Sequence, residues 1–283
     1  MSYIQPKEFA AKMVDAGEGK IFMSTKDTLI RAYMAGAILA LAAAFAVTIA
    51  VQTGNFLVAS LLFPVGFCML YLLGFDLLTG VFTLAPLAVV AKRPGCTWGG
   101  VFRNWGLVAL GNFGGAMTVA IFMAIIFTMG FSTEPNAVGQ KIGKIGEART
   151  LGYAAAGASG MLTVFIRAVM CNWMVSTGVV AAMMSNSVSG KIMAMWMPIL
   201  VFFYLGFEHS IVNMFLFPSG IMLGGQFTWS DYLLFNEIPV VLGNLVGGLT
   251  FVGGMIYMTH FKESPKRNAQ ISRNNDASGV AAE

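Results

Sequence analysis

The chain has 283 residues, 57% of them apolar and only 11% charged, with a mean hydropathy of +0.74. A soluble domain carries about a quarter charged residues, so an ordinary soluble fold is excluded and an integral membrane protein is indicated. The net charge is only +4 with basic residues in loops and tails, which speaks of membrane orientation rather than nucleic acid, and Cys68, Cys96 and Cys171 form neither a CxxC nor a His-paired spacing, so no disulfide framework, metal or cofactor is expected.

Residues 1–28 come first. Between 5 and 20, charges alternate with Phe9, Met13 and Ala16 at three- and four-residue spacing. This predicts an amphipathic helix at the cytoplasmic face, either a solvated leader or a gate over a pore mouth. No short apolar core with a small-residue cleavage site follows Met1, so no secretory signal is expected.

Residues 29–261 read as a six-span body. A helix needs about 20 apolar residues to cross about 30 Å of hydrocarbon, and such runs lie near 30 to 51, 57 to 91, 104 to 130, 153 to 185, 192 to 222 and 238 to 261. The second and fifth are too long for one straight crossing. Each is interrupted, by Gly74-Phe75-Asp76-Leu77-Leu78-Thr79-Gly80 and by Gly206-Phe207-Glu208-His209-Ser210, and both are predicted to be broken helices. With a cytoplasmic N-terminus, Lys7, Lys12, Lys20, Lys26, Arg31, Lys92, Arg93, Arg103 and Lys191 fall inside, together with Lys262, Lys266, Arg267 and Arg273. Only Lys141, Lys144 and Arg149 fall in an outer loop, so both termini are expected in the cytoplasm. Residues 262–283 lack apolar periodicity and are expected to be a disordered cytoplasmic tail.

An offset of 132 residues lays Gly74-Phe75-Asp76 on Gly206-Phe207-Glu208, Pro86 on Pro218, and Leu110-Gly111-Asn112 on Leu242-Gly243-Asn244. Three coincidences in one register indicate two related halves. Each half has an odd number of spans, so the second is inverted relative to the first. Gly111, Gly115, Gly243 and Gly247 suit close helix packing. Unwound backbone inside a membrane is tolerated only where protein or a water-filled cavity surrounds it, so the two breaks are expected to meet along a path.

The residues resemble the formate/nitrite transporter family. The likeness is carried by Gly206-Phe207-Glu208-His209-Ser210-Ile211-Val212-Asn213-Met214-Phe215, by Asp76-Leu77-Leu78-Thr79, by Cys171-Asn172-Trp173-Met174-Val175, and by Ile238-Pro239-Val240 with Gly243-Asn244. It implies an all-α, aquaporin-like protomer in a homopentamer, one pore per protomer, passing small monovalent anions such as formate, nitrite or hydrosulfide across a bacterial cytoplasmic membrane. Matched by position, His209 and Thr79 take the pore centre and Phe63, Phe67, Leu77, Leu78 and Phe202 the apolar constrictions. Asn172 and Asn244 match polar residues near the pore. Two departures stand out: Ala156 sits where the family has a lysine, and Leu78 where an aromatic is common. The missing lysine weakens the expected anion attraction, unless Lys141, Lys144 or Arg149 supplies the field.

Ionisable groups inside a membrane are costly and usually functional. Asp76 and Glu208 are expected to be structural, accepting hydrogen bonds from backbone N–H groups freed at the breaks, and Arg167 to form a structural ion pair or snorkel. A histidine ordinarily titrates near neutral pH and can offer a hydrogen bond, a charge or a proton, and His209 occupies a break, which favours a pore role over a satisfied structural one. Moving a bare carboxylate into an apolar slit costs up to roughly 20 kcal/mol by a Born estimate. Substrates are therefore expected to be weak acids protonated near His209, or anions drawn by the positive ends of helices. An enzyme is not expected. The alternative, a rhomboid-like intramembrane serine protease, rests on Gly157-Ala158-Ser159-Gly160 alone, and the Asn-Pro-Ala pair of water channels is absent.

Overall fold

The computed structural model describes residues 3–261. The expected disordered tail, 262–283, lies outside the described residues. Among those described, the backbone is helical apart from connections and an isolated bridge between Tyr3 and Ser185.

Four helices are long and apolar enough to cross a membrane: α2 (Thr25–Thr53), α6 (Trp98–Phe127), α8 (Gly157–Met183) and α11 (Trp229–His260). The shortest has 27 residues, which at about 1.5 Å per residue exceeds the hydrocarbon core. Their ends are set by local chemistry. Ser24 caps α2 by accepting from the Asp27 N–H and Gly54 closes it at φ 65°. Thr228 and Asp231 form a reciprocal capping box that starts α11 at Trp229, nine residues before the start expected from hydropathy. Two turns of α11, Leu233–Glu237 and Leu249–Gly254, are π-helical.

Shorter apolar helices fill the remaining runs: α3 (Phe56–Leu62) and α4 (Pro64–Leu72), α5 (Leu78–Val90), α9 (Val188–Tyr204) and α10 (Ser210–Met222). Pro64 removes a backbone donor and separates α3 from α4. The backbone leaves the helix after Leu72 and after Tyr204 and resumes at Leu78 and Ser210, inside the two polar interruptions.

Two segments differ from expectation. The cationic stretch read as an outer loop is a 19-residue helix, α7 (Ala137–Ala155). Asn136 caps it, accepting from Val138 and Gly139 N–H at 3.1 and 3.0 Å, and Gly157 at φ 57° turns the chain into α8. The N-terminal helix α1 (Pro6–Phe22) is not a free leader. Its stripe of Phe9, Met13, Val14, Gly17 and Ile21 is buried, and α1 packs on α5 and α6.

Close packing runs through small residues. A Cβ added at Gly115 would overlap the Tyr33 carbonyl of α2, and one at Gly247 the Val169 carbonyl of α8. These contacts hold α6 on α2 and α11 on α8, leaving the two helix interruptions between the pairs.

Candidate pore site

Each break is built the same way. Gly74 (φ 74°) and Gly206 (φ 66°) adopt the left-handed conformation that ends α4 and α9. Phe75 N–H then donates to the Leu70 carbonyl at 3.0 Å, and Phe207 N–H to the Phe202 carbonyl at 3.1 Å. The next helix is anchored by an asparagine. Asn112 Oδ1 accepts from Leu78 N–H at 2.9 Å while its Nδ2 donates to the carbonyls of Ala32 and Asp76 at 2.8 and 2.9 Å. Asn244 Oδ1 accepts from Ser210 N–H at 3.0 Å, and its Nδ2 donates to Ala168 and Glu208 carbonyls at 2.8 and 2.9 Å. Leu78 and Ser210 are themselves 132 residues apart.

The freed N–H groups were expected to bind the carboxylates, and here the structure corrects the sequence. Buried asparagines hold the backbone, because an amide can accept from one strand of the break and donate to another. The carboxylates bind side chains instead. Asp76 Oδ1 pairs with Lys20 of α1 at 2.6 Å. Glu208, fully buried, accepts from Tyr153 Oη at 2.9 Å and from Asn213 and Asn236 Nδ2 at 3.0 and 3.3 Å, with Arg149 Nε 3.5 Å away. Arg167 Nη1 donates to Tyr153 Oη at 2.9 Å, so it reaches Glu208 through a tyrosine rather than as a direct ion pair.

The two breaks meet at Thr79 and His209, whose Oγ1 and Nε2 lie 3.2 Å apart, both buried. His209 also caps α10, with Val212 N–H donating to Nδ1 at 3.2 Å. A backbone N–H can only donate. Nδ1 is therefore unprotonated, the neutral ring carries its proton on Nε2, and that N–H points at Thr79 Oγ1. The threonine hydroxyl keeps its own proton for another acceptor. The Phe202 ring stacks on the imidazole with centroids 5.7 Å apart.

Two cavities flank this contact. On the α1 side, about 240 Å³ is lined by Lys20, Phe67, Tyr71, Asp76, Leu77 and Thr79, among others. On the α7 side, about 80 Å³ is lined by Lys141, Arg149, Phe202, Phe207 and His209, and a wider mouth beyond it is again lined by Lys141 and Arg149. Phe67, Leu77 and Thr79 thus face one cavity, Phe202 and His209 the other. Phe63 and Leu78 are buried but line neither; Phe63 stacks on Phe203 at 3.9 Å and packs edge-on to Phe202.

Asn172 and Asn244 also line neither cavity. Asn172 Nδ2 donates to the carbonyls of Thr79 and Asn244 at 3.1 and 2.6 Å, tying the start of α5 to α11, and its Oδ1 accepts from Ser176. Ala156 is exposed at the junction of α7 and α8. Lys144 lies beside Glu134 and Glu147 in a separate surface pocket, whereas Arg149 and Lys141 face His209. Ser159 is exposed, and both ring nitrogens of His209 are engaged, by Thr79 and Val212. Asn112, Tyr153, Asn213 and Asn236 escaped the sequence reading as parts of the site. The register of Asn112 with Asn244, and for Asn213 its place in the motif after His209, were the signals that could have found two of them.

The family model described as formate/nitrite transporter matches residues 7–258. A probable formate transporter of Methanothermobacter thermautotrophicus is 39% identical over 214 residues, covering 73% of this chain and 76% of the relative. A solved FNT family ion channel superposes with a TM-score of 0.77 at 23% identity, covering 89% of this chain and 99% of that one. A pentameric formate channel with formate bound superposes at 0.69 and 24%, covering 84% and 98%; at these identities the likeness establishes the fold. With a family model spanning nearly its whole length and the fold of solved family channels, the chain belongs to the formate/nitrite transporter family.

Proposed function

We propose that the protein is a membrane channel for small monovalent anions or their weak acids, with formate foremost and nitrite or hydrosulfide as the alternatives within the same family. The names of a probable formate transporter and a formate-bound channel among its relatives support formate. The observation that carries the reading is the Thr79–His209 contact between two cavities that approach it from opposite sides, with apolar side chains around it.

In this reading residues 29–261 form the pore body and residues 1–28 a cytoplasmic segment docked on it. The protein crosses the membrane six times, α3 to α5 and α9 to α10 each making one interrupted crossing. The paired bonds of Asn112 and Asn244 support two related halves, inverted because each has three crossings. Lysines and arginines concentrate on the α1 side, which supports a cytoplasmic N-terminus in a bacterial inner membrane. A homopentamer in lipid is the proposed assembly.

Permeation turns on where the charge goes. Phe67, Leu77 and Phe202 offer no compensation for a bare carboxylate, whose desolvation costs several kcal/mol even after relaxation. Thr79 and His209 offer hydrogen bonds between the two cavities. The neutral ring found here acts as a donor; passing on a proton requires imidazolium, whose second N–H would conflict with the Val212 cap. An acid protonated in the wider cavity, or an anion stabilised by the Thr79 hydroxyl and the first turns of α5 and α10, fits this geometry better than proton transfer from Nδ1.

The test is uptake into proteoliposomes of formate, nitrite, hydrosulfide, lactate and acetate at several pH values. Flux of at least one small anion well above protein-free vesicles is expected. No flux of any of them, with the protein folded and inserted, would overturn the proposal.

A further inference from the structure

We infer that Arg149 forms a carboxylate-type binding station in the outer cavity, selecting planar anions with two oxygens over single-atom anions; the inference rests on the anion-channel reading above. Arg149 lines both the cavity that contains His209 and the mouth beyond it. Among the described residues its side chain makes one polar contact, Nε to Glu208 Oε1 at 3.5 Å, and its guanidinium has no hydrogen-bond partner. A guanidinium presents five N–H donors. The contact through Nε leaves the two terminal nitrogens free.

Those two nitrogens form a fork whose spacing matches the two oxygens of a carboxylate or of nitrite. A hydrosulfide or halide ion can engage the charge but cannot make both parallel bonds. Glu208 makes the fork usable. It is fully buried and held by Tyr153, Asn213 and Asn236, so it is a fixed anchor for Nε. Its negative charge offsets part of the guanidinium charge, which weakens capture of any anion by charge alone and leaves geometry to discriminate.

Lys141 complements this station. It lies eight residues earlier on α7, about 12 Å along the helix axis, and lines the same two spaces with Ile145 between. An ammonium is a point charge without a planar fork. Lys141 therefore gathers anions without choosing among them, and Arg149 chooses.

The experiment compares initial fluxes of formate, nitrite and hydrosulfide in proteoliposomes for the unmodified chain, Arg149→Lys and Lys141→Gln. Arg149→Lys keeps the charge and removes the fork. The formate-to-hydrosulfide and nitrite-to-hydrosulfide ratios are expected to fall about tenfold, the equivalent of about 1.4 kcal/mol, while Lys141→Gln lowers all three fluxes together at low salt. Ratios unchanged in Arg149→Lys overturn the inference, whether or not absolute flux falls. If Arg149→Lys does not fold, phenylglyoxal modification of Arg149 in the unmodified chain, mapped by peptide mass spectrometry, gives the answer: formate protects more than equimolar hydrosulfide if the fork binds, and equal or absent protection overturns it. Failure of the channel reading looks different, since the unmodified chain then passes no anion.

Discussion

His209 holds two hydrogen bonds that constrain each other, and this fixes what its substitutions do. Asparagine is among the best N-caps, so His209→Asn keeps an acceptor for Val212 N–H while losing the reach to Thr79 Oγ1 and the ring that stacks on Phe202. Alanine loses the cap as well, at a cost of about 1 kcal/mol. We expect both variants to assemble, His209→Asn with the higher thermal stability, and both to alter the selectivity of flux among formate, nitrite and hydrosulfide. Flux in both indistinguishable from the unmodified chain for every one of these anions would remove the role given to His209. Ala156 gives the opposite case. It is exposed at a helix junction and lines neither cavity, so a lysine there carries its charge outside both spaces that approach Thr79 and His209. Ala156→Lys is expected to leave formate flux and its salt dependence within twofold of the unmodified chain, measured in the same vesicles. The sequence raised the opposite expectation because matching Ala156 to the family lysine assumes one continuous helix through it, and Gly157 at φ 57° breaks that helix.

Helix α1 is fastened to the pore body by charges that hydropathy does not register. Lys20 meets Asp76 at 2.6 Å immediately before Leu77, Arg93 pairs with Asp15 at 2.5 Å, and Asn104 donates to the Lys20 carbonyl at 3.0 Å. With side-chain exposures of 17% and 8%, Lys20 and Asp76 are too buried for either to lose its partner cheaply; breaking such a pair costs about 3–5 kcal/mol, whereas neutralising both costs less. Lys20→Gln and Asp76→Asn are each expected to lower the melting temperature in detergent, and the double variant to fall short of the sum by about 1–3 kcal/mol. Strict additivity would show that the pair does not couple α1 to the break. The interruptions after Leu72 and Tyr204 were legible in the sequence, since Gly74 and Gly206 are local signals and the 132-residue register repeats them. Helix α7 was not, because Lys141, Lys144, Glu147 and Arg149 make it polar and its start depends on one cap, Asn136. Nor was the network at Glu208, whose partners Tyr153 and Asn236 come from distant segments brought together only by packing.

At the scale of the assembly, the position of the path decides how subunits combine. Both cavities and the Thr79–His209 contact between them are built from residues of one chain. Many large apolar side chains on the outside remain exposed, among them Phe102 at 62%, Leu110 at 67% and Leu162 at 62%, and these require lipid or neighbouring subunits. If five subunits assemble, each then carries its own pore, and their activities add. Co-assembly of unmodified and His209→Ala subunits tests this. Mixed oligomers, counted by native mass spectrometry, are expected to show a profile of fluxes across formate, nitrite and hydrosulfide that is the weighted sum of the two pure profiles at every ratio. A path on the symmetry axis behaves differently, because every subunit contributes to it. At equal mixing only about 3% of pentamers are then free of the variant, so the unmodified profile would all but vanish instead of contributing half. A nonlinear dependence of that kind would move the pore out of the protomer and detach it from Thr79 and His209.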